Sequence, residues 1–75
     1  MKIHYDSMVD ALYIELRPLP AGKAENRDLA EDIVANYGPD GKIAGLEILD
    51  ASIVLGDNLN KFSIELSPVL QPQLA

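Results

Sequence analysis

The sequence predicts a mainly β fold, with α+β as the alternative: a single antiparallel β-meander of four to six strands carrying a short C-terminal helical turn or strand. Three observations lead there. Apolar and polar residues alternate with period two over several stretches of strand length, as in Leu12-Tyr13-Ile14-Glu15-Leu16. Turn-forming residues separate these stretches at short intervals, the strongest signal being Gly38-Pro39-Asp40-Gly41. The chain has 75 residues and no cysteine, so it has room for one hydrophobic core and no disulfide or thiolate metal site to reinforce it.

Each element follows in order. Residues 2–5 put Ile3 and Tyr5 on one side of a strand and His4 on the other. A loop at residues 6–10 joins this strand to a second, in which Leu12, Ile14 and Leu16 face one way and Tyr13, Glu15 and Arg17 the other. Pro18 and Pro20 lack backbone donors and end that strand. Residues 24–31 suit helix by composition and an edge strand by length; the extended edge segment is the preferred reading. Ile33-Val34-Ala35-Asn36-Tyr37 is β-rich, and residues 42–50 return as its partner across the glycine-proline turn. Setting Tyr37 opposite Lys42 places Ile33 against Leu46 and Ala35 against Ala44 on a coherent apolar face, with Asp32 facing Glu47 on the other. Ile53-Val54-Leu55-Gly56 reads as a helical turn closed by glycine. Phe62, Ile64 and Leu66 alternate with Ser63 and Glu65 and favour a last strand, although Leu59, Phe62 and Leu66 also fit one side of a helix. The whole reads as one domain over residues 1–67 with a flexible tail at 68–75.

Charge and length narrow the function classes. Twelve acidic against six basic residues give a net charge of −6, and Lys2, Arg17, Lys23, Arg27, Lys42 and Lys61 are scattered. Nucleic acid rewards clustered cations, so it is not the expected partner; a basic protein is the better electrostatic match. No apolar run approaches the ~20 residues needed to cross a bilayer, and no signal-peptide pattern opens the chain, so a cytoplasmic location without membrane contact is the expectation. An open sheet with one apolar face needs a cover, and a short C-terminal segment supplies little, so a homodimer is expected.

The inventory of chemistry-bearing residues is thin. His4 is the single histidine, too few for a multi-histidine metal site. Asp6 and Asp10 flank the first turn without a calcium-loop pattern and read as turn hydrogen-bonders. Asp50 and Ser52 read as caps for the following helical turn. Asp32 and Glu47 form a carboxylate pair of the kind sugar hydrolases use, but 75 residues offer little material for a cleft, and the pair reads as solvated surface. Ser7, Ser52, Ser63 and Ser67 sit in no nucleophile motif, and the glycine-proline turn is not a phosphate loop. No catalytic residue, cofactor-binding residue or metal ligand is therefore assigned, and no cofactor is called for.

Two blocks, Lys2-Ile3-His4-Tyr5-Asp6 with Asp10-Ala11-Leu12-Tyr13-Ile14-Glu15-Leu16, and Gly41-Lys42-Ile43-Ala44-Gly45-Leu46-Glu47-Ile48-Leu49-Asp50-Ala51-Ser52, resemble a family of short prokaryotic proteins catalogued as domain of unknown function 2283. The resemblance runs over residues 2–52; the family often has proline where this chain has Ser7. It implies a small β-rich domain with no established activity or catalytic residues, some of whose members are suspected antitoxin-like partners of small toxins.

The resulting expectation is a non-enzymatic protein-interaction module, with an antitoxin-like role as its sharpest form. The alternative is a small-molecule or metal-binding enzyme that assembles Asp6, Asp10, Asp32 and Glu47 into a carboxylate site at a dimer interface.

Overall fold

The computed structural model describes residues 1–20, 22 and 24–68. Among them are five strands, β1 (Lys2–Asp6), β2 (Ala11–Glu15), β3 (Glu25–Ala30), β4 (Ile33–Tyr37) and β5 (Ile43–Ile48), followed by a one-turn helix α1 (Ala51–Leu55) and a 3-10 turn (Gly56–Asn58). The strands form one sheet in the order β1-β2-β5-β4-β3, antiparallel at every pairing. The expected mainly β fold, with its short C-terminal helical turn, is present. The chain visits the sheet as a hairpin, β1-β2, and a meander, β3-β4-β5, whose last strand docks beside β2. Residues 24–31 contain the expected edge strand, with every residue of β3 exposed.

The β4-β5 register differs from the expected one. Ile33 faces Ile48, Ala35 faces Leu46 and Asn36 faces Gly45. The turn is one residue longer than expected, because the Gly38 N–H donates to the Lys42 carbonyl at 2.9 Å, and an irregularity after Asn36 adds a second residue on β5. A two-residue slip keeps every side chain on its face while changing every partner. The expected Asp32–Glu47 pair accordingly does not form: Val34 is opposite Glu47, and Asp32 lies in the β3-β4 turn, where its carbonyl accepts the Leu49 N–H at 2.8 Å.

Register assigns the two sheet faces. Ile3, Tyr5, Leu12, Ile14, Leu46, Ile48, Ile33 and Ala35 share the apolar face, while Lys2, His4, Tyr13, Glu15, Glu47 and Asn36 share the polar one. Leu55, Leu59 and Phe62 lie over the β1-β2-β5 part of the apolar face, leaving a gap of about 230 Å³ beneath them. The last strand expected at Phe62–Leu66 is absent: residues 61–67 carry the right alternation but pair with no strand, and Phe62, Ile64 and Leu66 stay exposed. Of the tail expected at residues 68–75, residues 69–75 lie outside the described ones.

One aspartate positions α1. The Asp10 carboxylate accepts the Ser52 N–H at 2.9 Å, the Ser52 hydroxyl at 2.6 Å and the Tyr5 hydroxyl at 2.7 Å, while the Asp10 carbonyl accepts the Ala51 N–H at 2.9 Å. The expected cap from Asp50 or Ser52 is thereby corrected: Asp50 stands at the N-cap position but makes no side-chain cap bond, and Ser52 donates to the cap rather than supplying it. Asp50 takes a left-handed backbone (φ 50°), as does Asp10 (φ 52°), and this tight junction brings the helix start against the first turn.

Candidate functional site

Two surfaces stand out from the fold. The first is apolar. Among the described residues Leu12 is the one large apolar side chain that is fully buried, beside Ala35, Ala44 and Ala51. Twelve large apolar residues among the described ones are exposed, including Met1, Ile3, Phe62 and Ile64, which line one open groove of about 370 Å³ with Leu59 and Asn60. This groove runs beside β1, an outer strand of the sheet. Isolated exposed apolar residues are ordinary; these are contiguous, beside a strand that pairs on one side only among the described residues.

The second surface lies on the polar face, where β2, β5 and β4 run side by side. Asn36 is 5% exposed, although asparagine is disfavoured in strands and costly to bury unpaired. Its Nδ2 donates to Asn26 Oδ1 at 2.7 Å and to Glu47 Oε2 at 3.1 Å. Both amide hydrogens are thus spent on acceptors, which fixes the orientation of the amide. Asn36 Oδ1 is left buried with no hydrogen-bond partner. It points over Gly45, the residue directly opposite, lying 3.1 Å from where a β-carbon on Gly45 would stand. The Tyr13 hydroxyl occupies the same space, with its Cζ 2.9 Å from that point. Burial is the main cause that raises the Tyr13 hydroxyl above its ordinary pKa, with the negative charges of Glu15 and Glu47 adding to it. The site therefore combines a buried acceptor, a tyrosine hydroxyl and two carboxylates over a glycine floor.

The sequence-derived candidates are dispersed. Asp6 Oδ1 accepts the Met8 N–H at 3.0 Å, the expected turn role. Asp10 holds the helix start, and its carboxyl is kept below the ordinary range by the Ser52 hydroxyl, then by Tyr5 and the Ser52 N–H. Asp32 sits in a turn, Glu47 on the polar face, and His4 is exposed opposite Tyr13. Ser7, Ser63 and Ser67 are exposed. Among the described residues no three acidic or histidine groups converge as a metal site would require, and no helix is long and apolar enough to cross a membrane.

Sequence reasoning missed Tyr13, Asn36 and Gly45. A signal was there: Asn36 and Gly45 are both poor strand residues in the middle of β-rich runs. The expected register hid them by setting Asn36 against Ile43 rather than against Gly45.

A model of the family described as protein of unknown function (DUF2283) matches residues 2–52. The chain belongs to that family. No curated protein and no solved structure matches it. The DUF2283 match takes in all five strands, the whole Asn36 cluster and both ends of the Asp10–Ser52 contact, and stops before the residues that lie over the apolar face.

Proposed function

We propose that this DUF2283 chain is a non-enzymatic protein-interaction module that works as a homodimer, with the groove lined by Met1, Ile3, Leu59, Phe62 and Ile64 closed by a second copy. The observation carrying this reading is that, among the described residues, one large apolar side chain is fully buried and twelve are exposed, the rest being half-buried. A domain this small gains little from its own core, and pairing adds burial at no cost in chain length. The segment 61–67 favours the same reading, since it has strand periodicity, pairs with no strand among the described residues and lies beside β1, which pairs on one side only among them. The net charge of −6 suits a basic protein as the dimer's further partner, which is the antitoxin-like form of the proposal.

Sedimentation of the full chain over a range of concentrations tests it. The expected result is a species of twice the 8.2 kDa chain mass that dissociates on dilution, and that Phe62→Ser with Ile64→Ser converts to monomer. Both side chains are more than 60% exposed, so their replacement should leave the circular dichroism of the sheet unchanged. A monomer at every concentration up to the millimolar range would overturn the proposal.

A further inference from the structure

The polar cluster on the other sheet face is unbalanced in a way that identifies what it lacks. Its acceptors are Asn36 Oδ1, the Tyr13 oxygen and the carboxylates of Glu15 and Glu47. The Asn36 amide hydrogens are already committed to Asn26 and Glu47, leaving the Tyr13 O–H as the one uncommitted donor among these four side chains. Neither Glu15 nor Glu47 makes an ion pair within the described residues, whose two ion pairs are Arg17–Asp40 and Arg27–Glu25. Lys2 and His4 on β1 stand opposite Glu15 and Tyr13 on β2, and no ion pair joins them among the described residues. A buried carbonyl oxygen without a donor costs on the order of 1–3 kcal/mol, and such groups mark strained or functional positions, or positions completed by a water, an ion or a ligand.

We propose that Asn36, Glu47 and Tyr13 form a binding site for a positively charged N–H donor, a guanidinium or primary ammonium group, which gives one hydrogen to Asn36 Oδ1 and pairs its charge with Glu47. Gly45 is the floor of the site, because any side chain there would fill the space into which Oδ1 points. Tyr13 is its lid. Among the described residues its hydroxyl makes no hydrogen bond, so turning the ring aside breaks none of them and opens the buried oxygen. A guanidinium fits best, since its planar fork can bond the carboxylate and the amide oxygen together. The group can come from a free small molecule or from a side chain of another protein. The site lies on the face opposite the dimer groove and does not depend on the dimer.

Titration of the full-length protein with methylguanidinium, followed by NMR at the Asn36 side-chain NH2 and the Gly45 amide, tests the proposal, with potassium at equal ionic strength as control. Saturable shifts at both positions with methylguanidinium and not with potassium are expected. Glu47→Gln should weaken them at least tenfold, while Glu65→Gln, on the exposed C-terminal segment, should leave them unchanged. An arginine-containing tripeptide saturating at lower concentration than methylguanidinium assigns the natural group to a protein; equal or weaker peptide binding assigns it to a small molecule. Either result supports the site. Equal shifts with potassium, or no shifts, would overturn it. So would a wild-type spectrum in which the Tyr13 hydroxyl proton is observed bonded to Asn36 throughout the titration, because the orphan oxygen would then be satisfied from within the chain.

Discussion

Replacing Gly45 with alanine adds one methyl group where the structure has no room for it. The new β-carbon would meet the Tyr13 hydroxyl and lie 2.9 Å from its Cζ and 3.1 Å from Asn36 Oδ1. The tyrosine ring is rigid and must lift as a body, and Asn36 cannot retreat without giving up its bonds to Asn26 and Glu47. Overpacking of this kind costs ~1–3 kcal/mol. The opposing term is the smaller unfolded-state entropy of alanine, ~0.4–1 kcal/mol, which applies because Gly45 is outside the left-handed region taken by Gly22, Gly41 and Gly56. The net expectation is a loss of about 1–2 kcal/mol, or about 5–15 °C in Tm for a domain of this size. Urea and thermal unfolding followed by circular dichroism, at one fixed protein concentration, measures it. Tyr13→Val removes the obstructing ring, so Gly45→Ala should cost less in that background, with a coupling of about 1 kcal/mol. A Gly45→Ala protein as stable as wild type, or a cost unchanged by Tyr13→Val, would refute the account of the glycine floor.

Acid should loosen the turn at Asp40 only well below the ordinary carboxylate range. Arg17 holds both Asp40 carboxylate oxygens, at 2.7 and 2.9 Å, and lowers that pKa from 3.8 to about 2, with help from the Lys42 N–H. A depressed carboxylate pKa stabilises the fold above the unfolded-state value and loses that contribution as pH falls, so urea midpoints should drop between about pH 4 and pH 2, and Asp40→Asn should flatten this limb. Asp10, also depressed, acts in the same direction; Asp10→Asn should lower stability at pH 7 and loosen α1, seen as faster amide exchange at Ser52. Leu12→Ala, which truncates the one large apolar side chain fully buried among the described residues, should cost ~2–3 kcal/mol and leave the chain partly unfolded at 37 °C by circular dichroism.

The parts of the fold legible in the sequence were those set by neighbours in the chain. The alternation of Leu12, Ile14 and Leu16, and the prolines after them, locate β2 by themselves; Gly38-Pro39-Asp40-Gly41 locates the β4-β5 turn. The register across that turn was not legible, because moving two residues along β5 leaves every side chain on the same face and so leaves the apolar pattern equally well satisfied. Phe62, Ile64 and Leu66 show the opposite failure. Their period is that of a strand, but a strand also needs an edge to bond, and alternation in one chain says nothing about whether a partner lies beside it.

The same distinction explains why the candidate site was hidden while the candidate residues were not. Asp6 declares its turn role locally, through a bond two residues away, whereas Asp10 acts on Ser52 across 42 positions and Asn36 on Glu47 across 11. Polar groups that act at long range have no spacing to betray them, and the informative sign is a residue that its own element should reject. Asparagine and glycine in the middle of β4 and β5 are such residues, and intrinsic strand propensity alone would favour replacing both. Their juxtaposition therefore has to be explained by what sits over them: the Tyr13 ring as a closed cover, or the Tyr13 ring as a cover that opens. Only the second gives the buried oxygen of Asn36 a use. It also predicts that a cation bound there protects the Gly45 amide from exchange while freeing the Tyr13 ring to flip, a pair of changes that tighter packing of the closed form could not produce together.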